Sequence, residues 1–358
     1  MKHTPLFEVQ KKSNPRFVDF GGWEMPVMFS SIIDEHNAVR NHAGIFDASH
    51  MGEFIISGSK AESFLNRVTT ANVPELKPYQ ARYSFFLNEN GGIIDDLIIY
   101  KRENDFLLIV NAGNLEKDFN WLKKNLFEGA TLEDISGTTS LIALQGPDAE
   151  KILQPMLNVD LKTLKNFNFL IPSFKNYKPD FAVVSRTGYT GEDGFEILIS
   201  NNLAPKMWEE LLSKGAKPCG LGARDSLRLE SAMSLHGHDI NEETTPLEAG
   251  LGWAVYLEKE FIGKKALLKQ VEKGLKKYLT AFILDSGIAR DHSEIFFESE
   301  KIGEVTSGSF SPTLKKGICM GYINRKLEPG TKVNMIVHGQ PKTASVVKKP
   351  FYKRPKAI

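Results

Sequence analysis

The stretch Gly91-Gly92-Ile93-Ile94-Asp95-Asp96-Leu97-Ile98-Ile99-Tyr100 sets two carboxylates inside an otherwise apolar run, and that combination narrows the fold more than any other feature. Ala81 to Leu87 before it reads as a strand, and Asn88-Glu89-Asn90-Gly91-Gly92 carries the turn chemistry of a hairpin loop. Ile93 to Tyr100 is then the return strand. Alternation places Asp96 with Ile94, Ile98 and Tyr100, and Asp95 with Ile93, Leu97 and Ile99. Neither face is polar, so the strand is expected to be covered on both sides. A carboxylate there must find donors or shift its pKa upward. Two readings stand: the pair is solvated near the turn or caps a neighbouring segment, or at least one of the two faces a pocket.

A chain of 358 residues can bury a large core, and its length suggests two or three domains. The formal net charge of +1 gives no electrostatic case for binding nucleic acid or a membrane surface. Cys219 and Cys319 form no CxxC pair and show no metal-ligand spacing, which argues against a disulfide framework or a metal site. On the same grounds His50 reads as a structural histidine. The amino-terminal MKHTPLFEVQKK has neither the apolar core of a signal peptide nor the character of a transit peptide. No apolar run approaches the ~18 residues that span a bilayer. A cytoplasmic protein is expected.

Taken in order, Ser31–Asn41 and Lys60–Arg67 read as helices, Phe106–Val110 as a buried strand ending at Asn111, and Leu115–Leu126 as a helix. Thr139–Leu144 reads as a strand and Asp148–Leu157 as a helix. Phe181–Ser185 and Phe195–Ser200 are strands joined by Arg186-Thr187-Gly188-Tyr189-Thr190-Gly191-Glu192-Asp193-Gly194, whose glycines allow close approach to a ligand or simply a surface hairpin. Glu196 follows that turn. A helix over Leu221–Glu230 carries Arg224 and Arg228 on one face, able to clamp carboxylates or to pair with Asp225 and Glu230. No dinucleotide fingerprint or Walker motif is present, which disfavours phosphate-cradling cofactors. The irregular alternation of strands and helices indicates α+β folding. A change of character around Gly274–Tyr278 marks a boundary, with 1–274 as one body and 275–358 as a second domain. The latter has six short strands that read as a small antiparallel barrel or sandwich. The basic tail Lys348–Ile358 reads as a solvated end.

In wording and order these segments resemble the T-protein family of the glycine cleavage system. The strings are TPLFE at Thr4–Glu8, DFGGWEMP at Asp19–Pro26, FDASHMGEF at Phe46–Phe54 and NENGGIIDDLIIY at Asn88–Tyr100. They continue with SRTGYTGEDGFE at Ser185–Glu196, GLGARDSLRLE at Gly220–Glu230, TTPLEAGLGW at Thr244–Trp253 and TSGSFSPTL at Thr306–Leu314. The resemblance implies an aminomethyltransferase that takes a one-carbon unit from the lipoylated H protein and gives it to tetrahydrofolate, forming 5,10-methylenetetrahydrofolate and ammonia. It implies two interleaved α+β lobes around a central folate channel, plus a C-terminal antiparallel β-barrel. Asp96 is then the catalytic carboxylate and Asp95 its structural neighbour. Glu196 would meet the donor edge of the pterin, and Arg224 and Arg228 the cofactor's two carboxylates. Met51, Tyr83, Asn111, Tyr189 and Trp253 would line the pocket. Two alternatives share the architecture: a folate-dependent demethylating subunit, whose usual flavin domain is not encoded here, and a folate-binding accessory protein of iron–sulfur cluster assembly. The latter carries a KGCYxGQE-like motif that this chain lacks.

Overall fold

Strands with two apolar faces need cover on both sides, and this chain supplies it with two sheets and a layer of helices. The structure is a computed structural model describing residues 1–355; the last three residues of the basic tail lie outside the described residues. Contacts divide the chain into two compact units, Met1–Ser84 with Asp95–Arg224, and Phe85–Ile94 with Asp225–Ile358.

The first unit opens with α1 (Phe7–Lys11), the hairpin of β1 (Arg16–Phe20) and β2 (Trp23–Met28), and α2 (Ile32–Asn41), whose N-cap Ser31 accepts from the Asp34 backbone N–H. Next come β3 (Gly44–Asp47), β4 (Gly52–Ser57) and α3 (Ala61–Val68). β5 (Gln80–Leu87) and β6 (Ile93–Lys101) form the long hairpin, whose tip Phe85–Ile94 is counted with the second unit. β7 (Phe106–Val110), α4 (Leu115–Asn125), β8 (Thr131–Asp134), β9 (Thr139–Gln145) and α5 (Ala149–Leu153) follow. β10 (Phe169–Leu170), β11 (Ala182–Ser185), β12 (Gly194–Ser200), α6 (Ala204–Ser213) and β13 (Lys217–Pro218) complete the unit. The strands make a five-stranded sheet in the order β5-β6-β7-β4-β8 and a six-stranded sheet in the order β10-β11-β12-β9-β3-β13.

Period two then assigns the faces. Leu141, Val183 and Leu198 of the six-stranded sheet meet Tyr100, Leu107 and Ile109 of the five-stranded sheet in one apolar layer. Ile142, Val184, Ile197 and Ile199 point the other way, into a core completed by Leu6 just before α1, Ile152 of α5 and Trp208 of α6. The helix expected over Asp148–Leu157 is shorter: α5 stops at Leu153 and a 3-10 turn, Gln154–Met156, replaces its end. Pro155 has no N–H to donate, and its ring clashes with the carbonyl four residues back.

α7 (Leu221–Glu230) carries the chain from Arg224, the last residue of the first unit, into the second. There, α8 (Lys264–Lys273) precedes β14 (Tyr278–Leu284), β15 (Glu294–Phe297), β16 (Glu300–Ser311), β17 (Lys316–Ile323), β18 (Lys332–Val337) and β19 (Gln340–Val347). These six strands close into a barrel in the order β14-β17-β16-β15-β18-β19, leaving no open edge. Phe282, Ile295, Val305, Met335 and Val346 fill it. Chain order alone puts a boundary after residue 274, yet residues from Asp225 onward group with the barrel. The reason is polar: Glu230 accepts from Ser311 Oγ and from Thr313 Oγ1 at 2.8 Å, and Arg228 donates to Asp239 and Ser307. Among the described residues no helix is long and apolar enough to cross a membrane.

The hairpin tip is held by Asn88, whose Oδ1 accepts the backbone N–H groups of Asn90 at 2.9 Å and Gly92 at 3.0 Å. A Cβ on Gly92 would lie 1.8 Å from the Glu242 carbonyl oxygen. Gly92→Ala is therefore expected to destabilise the second unit by roughly 1–3 kcal/mol, read as a lower urea midpoint. Gly137→Ala, with nothing within 4 Å of the added carbon, is the control. Equal midpoints for the two variants would contradict this close approach.

Candidate active site

The β6–β7 register pairs Ile98 with Ile109, so two residues further on Asn111 stands opposite Asp96. That register explains how two adjacent carboxylates are tolerated in an apolar strand. Asp95 is 0% exposed. It accepts the Asn111 backbone N–H at 3.0 Å, the Asn111 amide at 2.9 Å and the Asn114 amide. The Asn111 amide also reaches the Asp96 carboxylate at 2.8 Å and the Asp96 carbonyl at 3.0 Å, so one side chain brackets both aspartates. Asn111 precedes and Asn114 ends the 3-10 turn Ala112–Asn114, which converts the end of β7 into α4. The solvated reading of the pair does not hold, because Asp95 is dissolved in protein amides.

Asp96 sits on the other face of β6 and is only partly buried. Tyr83 of β5 donates its hydroxyl to it at 2.8 Å. Burial and then the neighbouring Asp95 charge push the Asp96 carboxyl up to about 7, while Tyr83 and Asn111 hold it back from rising further. A carboxyl poised there can both hold and release a proton near neutrality. Burial and Asp96 together push the Tyr83 phenol well up, so it stays a donor.

Glu196 belongs to the same side of β12 as Leu198 and so faces the layer that contains Tyr100. Thr187 Oγ1 donates to it, and Tyr100 Oη lies 3.4 Å from both Ser185 Oγ and Thr187 Oγ1. Burial raises the Glu196 pKa, opposed by the Thr187 hydrogen bond and the Arg224 charge. Arg224 lies over the Tyr189 ring, 4.7 Å from its centroid. The Tyr189 phenol in turn acts electrostatically on Tyr83. Asp96, Tyr83, Tyr189, Arg224 and Glu196 are thus linked, neighbour to neighbour, within the first unit.

The loop carrying Tyr189 is far from an ordinary surface turn. Arg186 bonds Asp193 and Glu150, with its Nη2 3.0 Å from Glu150 Oε2, and Arg40 pairs with Glu192 at 3.0 Å with both side chains buried. Gln145 donates to the Thr187 carbonyl at 3.1 Å and accepts from Thr190 Oγ1 at 2.9 Å. These contacts fix the backbone on either side of Tyr189.

Met51 packs at the edge of the intersheet layer. His50 is buried, and burial followed by the Arg224 charge lowers it to about 3, so the imidazole is neutral. Two expected residues lie in the second unit. Trp253 is 70% exposed, in the 3-10 turn Gly252–Ala254. Arg228 is buried, and its five N–H donors all have protein acceptors: Nε and Nη2 on Asp225, Nη1 on Asp239 and the Met233 carbonyl, and Nη2 also on Ser307. Sequence reading passed over Asn114, Thr187 and Tyr100. The Tyr100 position carried a usable signal, since it shares the Asp96 face of the strand; Asn114 and Thr187 act only through tertiary placement.

The site makes a titration prediction. Followed by carboxyl-carbon NMR, Asp96 is expected to titrate near 7. Asp95→Asn should lower that midpoint by removing the repelling charge, and Tyr83→Phe should raise it by removing a donor to the ionised form. A midpoint in the ordinary carboxylate range would overturn the arrangement.

Comparison with known proteins places the chain in a family. The GCVT N-terminal domain family matches residues 6–259, and the glycine cleavage T-protein C-terminal barrel domain matches residues 277–353. An aminomethyltransferase of Bacillus cereus is 48% identical over 365 residues, covering 99% of each chain. One from Bacillus mycoides matches at the same identity and coverage. The crystal structure of the glycine cleavage system aminomethyltransferase T from Bartonella henselae superposes with a TM-score of 0.92 at 37% identity, covering 99% of this chain and 98% of that one. Likeness of sequence and of fold over essentially the full length leaves one assignment: the chain belongs to the glycine cleavage T-protein family of aminomethyltransferases.

Proposed function

We propose that the enzyme moves the methylene unit of an S-aminomethyl lipoyl arm, presented by the H protein, onto tetrahydrofolate, and that Asp96 handles the protons. The observation that carries this reading is a carboxyl pushed up to about 7 and fixed between Tyr83 and Asn111. The reaction makes two carbon–nitrogen bonds to the folate. It breaks the carbon–sulfur bond of the arm and the bond to the leaving amine. The two folate N–H protons end on the released thiol and on ammonia, so the balance closes without an oxidant. The methylene passes through iminium-like character, which a fixed carboxylate beside it stabilises. Asp96 takes a proton from a folate nitrogen and returns it to a leaving group.

In the same reading Glu196 accepts from the donor edge of the pterin, supported by its Thr187 bond and by Arg224 nearby. Tyr83, Tyr189, Asn111 and Met51 form walls of the folate site. Arg224 is the candidate for a folate carboxylate. Arg228, its donors engaged by the protein, holds α7 to Asp239. The enzyme works in the cytoplasm beside the H protein.

The test is calorimetric titration with tetrahydrofolate, followed by ammonia release from aminomethyl-lipoylated H protein. Binding with release is expected. Asp96→Asn should lower turnover by roughly 10²–10⁴-fold while leaving folate affinity close to that of the parent. Glu196→Ala should weaken folate binding first. Equal losses of binding and turnover in Asp96→Asn would make Asp96 a binding residue only, and no folate binding by the parent would sink the reading.

A further inference from the structure

One buried acid beside the site has no part in the reaction as derived. Asp118 lies in the first turn of α4, 0% exposed, and among the described residues neither of its carboxyl oxygens has a hydrogen-bond donor. An ionised, unpaired carboxylate in that position would be among the costliest groups a fold can hold. Its hydrogen-bonding neighbour is Asp95. Two ionised carboxylates cannot bond one another, whereas a proton on either makes the contact a strong one. The donors already on Asp95, namely the Asn111 backbone, the Asn111 amide and the Asn114 amide, stabilise its anionic form and leave the proton to Asp118. Burial first, then the Asp95 charge, push the Asp118 carboxyl up to about 11. The other charges acting on it are Asp96, which works in the same direction, and Lys117 of α4, which opposes it.

We propose that Asp118 is a positioning residue for the transfer: a permanently neutral carboxylic acid that donates to Asp95 and so keeps the Asn111 amide set against Asp96. The chain of contacts runs from the Asp118 proton to Asp95, from Asp95 to the Asn111 amide, and from that amide to Asp96. The proton stays in place during turnover. It spreads the Asp95 charge and thereby limits how strongly that charge repels an ionised Asp96. The functional part of this proposal rests on Asp96 being the proton-handling group; the protonation of Asp118 does not.

Infrared difference spectroscopy separates the two. At neutral pH, the parent minus Asp118→Asn spectrum should contain the carbonyl band of a protonated carboxylic acid, whatever the enzyme's activity. A carboxylate band in its place overturns the proposal. Asp118→Asn keeps a donor but no titratable proton, and is expected to retain turnover within about twofold and the parent's Asp96 midpoint. Asp118→Leu, of similar size and without a donor, should raise the Asp96 midpoint by about one pH unit. Turnover at pH 7 should fall about fivefold with the KM for tetrahydrofolate unchanged, because a base titrating one unit higher is mostly protonated there. Equal losses in Asp118→Asn and Asp118→Leu, or a large loss in the former alone, would mean a general packing role or a travelling proton, and either result contradicts a fixed donor. If Asp118→Leu does not fold, the infrared band and the Asp118→Asn kinetics still decide the matter.

Discussion

Everything at the candidate site depends on how Asp95 is solvated. A carboxylate with no exposure in a strand apolar on both faces is stable only if the protein replaces water with donors. The donors come from a single turn: Asn111, opposite Asp96 in the strand register, and Asn114 both sit where β7 gives way to α4. Once Asp95 is satisfied there, its charge becomes a fixed feature of the strand. The partly buried Asp96 next to it feels that charge in a poorly hydrated setting and titrates near neutrality. A structural residue thereby tunes the one proposed to handle protons, and the adjacent pair is divided between two environments by the alternation of the strand.

The rest of the first unit aims other groups at the same place by the same rule. Glu196 points into the intersheet layer because Leu198, two residues on, does so, and Tyr100 comes from the opposing sheet on the Asp96 face of β6. The Arg186–Asp193 and Arg40–Glu192 pairs pin the loop between β11 and β12. Buried and half-buried pairs of this kind contribute little net stability against well-packed apolar residues. Their effect is to hold the Tyr189 backbone in one conformation, so that the ring lies under Arg224.

Local pattern made much of this legible. The β5–β6 hairpin, its Asn-Gly-rich tip, the helix N-capped by Ser31 and the six strands of the barrel all follow from periodicity and turn chemistry. Closure of those strands into a barrel, where a sandwich was equally open, depends on the pairing of β14 with β19 far along the chain. The shortened α5 could have been read from Pro155. The site was less legible. Asp95 and Asp96 stood out as misfits in an apolar strand, but their donors did not, since Asn111 meets them only through strand register and Asn114 reaches Asp95 only through tertiary placement. Asp118 carried no signal of its own, being one acid among the charged residues of a helix pattern. Arg224 and Arg228, equivalent by spacing, differ in their surroundings: one lies over Tyr189, while the other spends its donors on Asp225, Asp239 and Ser307. The resemblance to the T-protein family supplied what spacing could not, namely the expectation that these misfits share a ligand.

The most direct test of the account is the pH dependence of single-turnover methylene transfer, with aminomethyl-lipoylated H protein and tetrahydrofolate both saturating. If Asp96 is the group that moves protons, the rate rises through a limb near pH 7, and that limb vanishes in Asp96→Asn while slow transfer persists. A limb near 7 that survives in Asp96→Asn, or a flat profile in the parent enzyme, would contradict the claim that this strand tunes its second aspartate for chemistry.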